Sequence, residues 1–246
     1  MSALAKLKTV LAGDCALRPV AEDIYSVMPD ATHTQHLYDK RAVAYDFFVS
    51  TRLYNRVMWG NVPHDYTAFA RRAVASNPRG LMLDAACGSM LFTAPVHLEA
   101  TREVVAFDQS LSMLKRARAR LIELGGRVPE NVVLLQADLS DLPFRPRSFS
   151  TILCMNVLHQ FDDAASLIPK LRRLLTGEDS CLYLTSLVLN RRFIGDCYLR
   201  VLYNAGEFVR PRTSVGLEKL LVDALTQSIT YTTKGNMAYA TLKALT

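Results

Sequence analysis

The chain lacks most of the features that would assign it to a specialised class. Cysteine is scarce and scattered: Cys15, Cys87, Cys154, Cys181 and Cys197 form no CxxC pair. Their odd number argues against a disulfide framework, and their spacing against a zinc site. Cys154 and Cys181 sit in apolar runs, as reduced, buried thiols of a cytoplasmic protein do. No uninterrupted apolar stretch approaches the roughly 20 residues that a bilayer requires. The N-terminal apolar stretch is broken by Lys6 and Lys8, and Asp14 parts Gly13 from Cys15, which spoils an export-type cleavage site. Internal repeats and low-complexity segments are missing as well. With 50% hydrophobic and 21% charged residues in 246, a folded core is expected rather than a disordered chain.

The excess of basic residues, +6 in all, does not form a patch. Its densest group, Lys115, Arg116, Arg118 and Arg120, falls within an amphipathic helical pattern and reads as a solvated face. A stable nucleic-acid partner is therefore not expected.

From residue 80 onward, short apolar runs alternate with helical patterns. Residues 80–84, 103–108 and 132–137 are strand-like, each ending at or just before an acid: Asp84, Asp108 and Asp138. Further strands are expected over 149–155 and 181–189. Helices are expected over 111–124, capped by Ser110 and ended by Gly125 and Gly126, and over 166–175. Near-continuously apolar strands separated by helices predict a parallel sheet covered on both faces. A helix over 214–225 precedes two runs with period-two alternation, 227–233 and 237–242, joined by Lys234, Gly235 and Asn236. That pattern predicts a closing antiparallel hairpin. The fold class is α/β, a doubly wound Rossmann-like sheet, mostly parallel with an antiparallel C-terminal hairpin strand. Residues 1–75, rich in aromatics, read as a helical N-terminal lid. Residues 76–246 read as the main domain, with an inserted cap helix within about 190–213.

Ligands of open α/β sheets bind at the carboxyl ends of the strands, and three consecutive strands deliver a carboxylate there. The turn after the first strand, Ala85, Ala86, Cys87, Gly88 and Ser89, keeps side-chain bulk away, so backbone can approach a ligand closely. Asp108 is placed to accept from both hydroxyls of a ribose, and Asp138 from an adenine amino group, with Leu139 flanking the base.

LMLDAACGS at 81–89, VVAFDQS at 104–110, LLQADLSDLPF at 134–144 and FSTILCMNVLHQFDD at 149–163 together resemble the class I S-adenosylmethionine-dependent methyltransferases. LYDKRAVAYDFF, at 37–48, is similar to the lid of the branch that includes quinone C-methyltransferases and many natural-product methyltransferases. The resemblance implies S-adenosylmethionine as cofactor and S-adenosylhomocysteine as product. It implies that Asp84 orders the first loop and that Ala86, Cys87 and Gly88 line the methionine end. It places Asp108 at the ribose, Gln109 and Met113 beside the adenine and ribose, Asp138 and Leu139 at the adenine, and Asn156 facing the transferable methyl. One hydroxyl of Tyr38 or Tyr45 closes over the methionine carboxylate in this reading. The chain departs from the family loop at Met90, where a third glycine is usual.

His159 is the histidine nearest a strand end in the catalytic half. Its unperturbed pKa suits a general base, although a packing role is the plainer reading. The expected activity is methyl transfer to a small, apolar or aromatic, lipid-like acceptor, with peripheral membrane contact left open. RNA or protein methylation and a non-catalytic binding protein are the alternatives. Against the first, residues 154–158 lack the Asn-Pro-Pro-aromatic motif of base-amine methyltransferases. A nicotinamide dehydrogenase is disfavoured because the first loop lacks G-x-G-x-x-G spacing.

Overall fold

The computed structural model describes residues 2–13, 15–29, 50–224 and 229–243. Tyr38, Tyr45 and the rest of the lid-like segment lie outside them. In chain order the elements are α1 (Ala3–Val10), β1 (Arg18–Ala21), β2 (Ile24–Ser26), a helical segment over 52–59 that ends in a π turn, and α2 (Pro63–Ser76). Next come β3 (Met82–Ala85), α3 (Ala94–Glu99), β4 (Val104–Asp108), α4 (Leu111–Gly125), β5 (Val132–Gln136) and β6 (Thr151–Cys154). The chain continues through α5 (Ala164–Arg173), β7 (Cys181–Leu187), α6 (Phe193–Asn204), α7 (Ser214–Asp223), β8 (Ile229–Lys234) and β9 (Met237–Lys243).

All of the described strands join one sheet in the order β1-β2-β5-β4-β3-β6-β7-β9-β8. Strands β2 to β7 are parallel to their neighbours among themselves, and β9 runs antiparallel between β7 and β8. The expected mostly parallel sheet with its antiparallel closing hairpin is what the chain builds. Strands β3, β5, β6 and β7 are buried at every position, as continuous apolar runs require. Alternate residues divide the core in two. Leu83, Val105 and Leu135 face one layer, where Leu7 of α1 and Leu171 of α5 pack. Met82, Val104 and Leu134 face the other, with Phe69 of α2 and Leu114 of α4.

The first 75 residues are not helical throughout. Residues 18–26 form a hairpin whose second strand adds in parallel to β5, with Ile24 opposite Leu134. The strand pattern is hidden because β1 and β2 together supply only a few residues, include Pro19 and are parted by the acids Glu22 and Asp23. A two-residue turn, with Asp23 in the left-handed region at φ 60°, joins them. Arg118 of α4 clasps this turn through ion pairs to Glu22 and Asp23. The basic helix face is thus partly spent inside the protein, and Arg120 of the same helix donates to the Ser89 carbonyl.

Helix boundaries follow local chemistry. The Ser110 hydroxyl accepts from the Met113 N–H at 3.3 Å, and Gly126, at φ 77°, ends α4. Thr213 caps α7 through the Gly216 N–H at 3.0 Å. Residues 190–213 leave and return to one place, since Leu189 bridges Thr213.

Candidate functional site

Strand β3 lies between β4 and β6: the chain steps outward from β3 to β4 and β5, then crosses back to β6 and β7, and this reversal of strand order opens a crevice at the carboxyl end of β3. The loop that follows β3 lines this crevice. Ala86, Gly88 and Met90 alternate in the left-handed region, at φ 53°, 54° and 53°. The zigzag is held by the Cys87 N–H on the Phe107 carbonyl at 2.8 Å and by the Met90 N–H on the Cys87 carbonyl at 3.0 Å. A Cβ placed on Gly88 would meet nothing within 4 Å, so open space adjoins the loop there. The Met90 side chain turns away from this space and is buried in the core layer with Val96 and Leu114. It packs behind the loop and leaves the crevice wide.

An L-residue in the left-handed region costs about 1–2 kcal/mol. At Ala86 this strain offsets the usual entropic penalty of glycine, about 0.5–1 kcal/mol. Ala86→Gly is therefore expected to leave stability unchanged or raise it by up to about 1 kcal/mol, measured by urea unfolding. A loss above that value would mean that the Ala86 methyl group makes contacts worth more than the strain.

Asp108 ends β4 beside the loop, half-buried. Its Oδ2 accepts from the Gly88 N–H and its Oδ1 from the Ser110 N–H, both at 2.9 Å. Burial pushes its pKa up; these backbone N–H groups pull it back, and the neighbouring Asp84 charge raises it again. A carboxylate has about four acceptor sites, and those not taken by backbone N–H groups remain for ligand hydroxyls. Cys87, flanked by the same two acids, has its thiol pushed well up by burial and stays protonated.

Asp84 belongs to the core side of the crevice. It is buried against His97 of α3, whose Nε2 lies 2.8 Å from Asp84 Oδ2. The Asn131 amide donates to the His97 carbonyl at 3.3 Å and fixes that helix end. Asp84 therefore braces the loop from beneath, and the three carboxylates do not stand equivalently in one row. Asp138, after β5, accepts the Ser140 N–H at 2.7 Å through Oδ1. Leu139 beside it is buried, Gln109 is exposed and Met113 half-buried. The Gln109 carbonyl accepts from the Gln136 amide at 3.1 Å, which ties the ends of β4 and β5 together.

At the end of β6, Asn156 sits at φ 58°. Its N–H donates to Thr185 Oγ1 at 2.9 Å, and its Oδ1 accepts from the Thr185 hydroxyl at 3.0 Å. His159 is buried. Its Nδ1 accepts the Leu187 N–H at 3.4 Å and its ring meets Phe208 edge-on at 4.6 Å. An acceptor Nδ1 implies a neutral ring with its proton on Nε2. Burial first, and then Arg212, push the His159 pKa down to about 3.

Aromatic side chains gather further along the same edge. Tyr54, Trp59 and Tyr198 interlock, with Trp59 and Tyr198 centroids 5.3 Å apart and the two tyrosine hydroxyls at 3.3 Å. They stand at the carboxyl end of β7, because the Trp59 carbonyl accepts from Asn236 at 2.7 Å and the neighbouring Met237 pairs with Leu187. His97, Thr185 and Tyr54 escaped the sequence reading. A partner 13 or 29 residues away leaves no periodic signal.

The donor set suits S-adenosylmethionine. Asp108 has acceptor positions that suit a vicinal diol, and open space adjoins Gly88. Asp84 and Asp108 make the surroundings negative for a ligand bearing an ammonium and a sulfonium.

Residues 83–181 match the family described as a methyltransferase domain. No curated sequence matches significantly. Among solved structures, magnesium protoporphyrin IX methyltransferase from Synechocystis PCC 6803, with bound S-adenosylhomocysteine, is 18% identical. It aligns with a TM-score of 0.61 over 88% of this chain and 100% of its own. A methyltransferase from Thermotoga maritima, described as a possible histamine N-methyltransferase, is 15% identical with a TM-score of 0.60 over 86% of this chain and 99% of its own. The cyclase SpnF is 17% identical, with a TM-score of 0.61 over 83% and 75%. Likeness at this level establishes the fold.

Proposed function

We propose that this chain is an S-adenosylmethionine-dependent methyltransferase, a reading supported by the match of residues 83–181 to a methyltransferase domain, and that its acceptor is a small apolar or aromatic molecule. The observation that carries this reading is the cluster of Tyr54, Trp59 and Tyr198 at the carboxyl end of β7, the strand whose Thr185 bonds Asn156. The cofactor supplies an electrophilic methyl on a sulfonium. The residues around it have to hold the acceptor in line and exclude water. Aromatic faces suit both tasks: they bind an apolar acceptor and tolerate a nearby cation. The paired Tyr54 and Tyr198 hydroxyls offer one polar anchor. In the same proposal, Asp108 holds the ribose, with Gln109 and Met113 at its side. Asp138 and Leu139 hold the adenine, and Ala86, Cys87 and Gly88 line the methionine end.

Incubation with S-adenosylmethionine and a panel of phenols, quinones and aromatic amines tests the reading, with S-adenosylhomocysteine release and product mass as readouts. Turnover with a panel member, reduced at least tenfold by Trp59→Ala, is expected. Turnover confined to bulk RNA or protein would overturn it. RNA is disfavoured because Arg118 and Arg120, from the densest basic group, are engaged within the protein.

In this reading alignment suffices, and His159 serves as packing and backbone anchor. A ring that is neutral down to about pH 3, with its proton on Nε2, is a poor base. His159→Gln is expected to leave the pH profile of turnover without a lost limb near 6.5. Disappearance of such a limb would restore the base role. The same depressed pKa makes a stability prediction. The unfolded chain protonates His159 below about 6.5, its ordinary value, while the fold resists until about 3. Its contribution to stability is therefore complete above that upper value and erodes as pH falls toward the lower one. His159→Gln should flatten the acid limb of a stability–pH curve.

A further inference from the structure

The helix α6 has two faces. Gly195 and Leu199 are buried, and Tyr198 packs on Trp59. Around the rest of the helix Phe193 is 84% exposed, Val201 59% and Ile194 50%, with Arg191 and Arg200 beside them in solvent. The neighbouring segment over 52–59 repeats the arrangement. Leu53 is 73% exposed and Val57 41%, interleaved with exposed Arg52 and Arg56. The two segments are joined by the Tyr54–Tyr198 hydroxyl contact and by Arg192, which donates to the Met58 carbonyl at 3.3 Å. Ile194, Tyr198 and Val201 follow i, i+4, i+7 spacing, so the strip of α6 that meets the 52–59 segment borders the exposed strip directly. Exposed large apolar side chains concentrated on adjoining elements are unusual on a protein with no apolar partner.

Charge selects the occupant. Residues 50–61 contain no acid, and the only acid of α6, Asp196, accepts from the Asn190 N–H at 3.0 Å and the Asn236 amide at 2.6 Å. Arg52, Arg56, Arg191 and Arg200 therefore present positive charge around an apolar centre. A second copy of the chain would bring two such sets face to face. An anionic lipid surface meets both requirements, with headgroups for the guanidiniums and acyl chains for Phe193, Ile194 and Leu53.

We propose that α6 and the 52–59 segment seat this protein on anionic membrane surfaces. The aromatic cluster on the inner side of the same elements then lies one side-chain layer from the lipid, which suits an acceptor dissolved in the bilayer.

Vesicle co-sedimentation without acceptor or cofactor tests the docking separately from methyl transfer. The purified chain is expected to bind vesicles of phosphatidylcholine with 30% phosphatidylglycerol at least tenfold more tightly than pure phosphatidylcholine, with affinity falling as salt rises. At about fivefold per arginine, Arg52→Glu with Arg200→Glu should cost at least 25-fold. Phe193→Glu with Ile194→Glu, both outward-facing, should abolish binding while circular dichroism and S-adenosylmethionine affinity stay as in the parent. Equal partition of the parent into neutral and anionic vesicles, or no partition, would overturn the proposal. So would full binding by the Phe193 and Ile194 variant, or a concentration-dependent dimer in sedimentation velocity that this variant abolishes.

Discussion

Asp108→Ala is expected to weaken S-adenosylmethionine binding by about 1.5–3 kcal/mol, the usual worth of hydrogen bonds to a charged group, or roughly 10- to 150-fold in Kd. The loss has two sources. In the proposed site the carboxylate presents its remaining acceptor positions to the ribose, and it holds the loop after β3 by accepting the Gly88 N–H at 2.9 Å. Without it, that N–H and the one from Ser110 lose their partner, so the loop must be ordered anew on each binding event. Calorimetry on a folded variant checks this, and unchanged affinity would remove Asp108 from the site. Because burial raises its pKa, affinity in the parent should be lost on acidification sooner than for an ordinary carboxylate. The alanine variant should lose that pH dependence.

The larger effect on stability is expected at His97. Its ring and the Asp84 carboxylate form a pair at 2.8 Å, with 0% and 2% of the side chains exposed. Removing one partner of such a pair costs about 3–5 kcal/mol, because the other is left buried without compensation. For a chain of this size each kcal/mol lowers Tm by about 2–4 °C, so His97→Ala should fall by roughly 6–20 °C. Replacing both partners, as Asp84→Leu with His97→Leu, should recover part of the loss. A calorimetric scan of His97→Ala within 2–3 °C of the parent would show that the pair contributes little.

The parallel strands were legible because their chemistry is local. Residues 104–107, 132–135 and 181–184 are unbroken apolar runs, and Lys234, Gly235 and Asn236 announce the final hairpin. Asp108 was legible for the same reason, as an acid at the end of a strand. The hairpin over 18–26 was not. Its strands are too short to show a period, and it owes its place to β5, more than 100 residues further along the chain. Nor could sequence separate Asp84 from Asp108. Both end apolar runs, yet Asp84 shares the face of Met82 and meets a histidine, while Asp108 meets the loop. His159 shows another limit: its position at a strand end invites a catalytic reading, and only the Leu187 N–H and the Phe208 ring reveal its surroundings.

The N-terminal hairpin also decides where the sheet stops. Every residue of β5 is buried, and without Ile24, Tyr25 and Ser26 alongside it the strand would expose a flat row of unsatisfied amides and carbonyls flanked by valine and leucine. A bare margin of that kind recruits strands from other molecules. The hairpin substitutes a four-residue border carrying Arg18 and Pro19, a poor template for further growth. Residues far from the crevice thus act as a hem, and trimming the chain back to residue 29 would leave a sheet prone to fibrous or amorphous association.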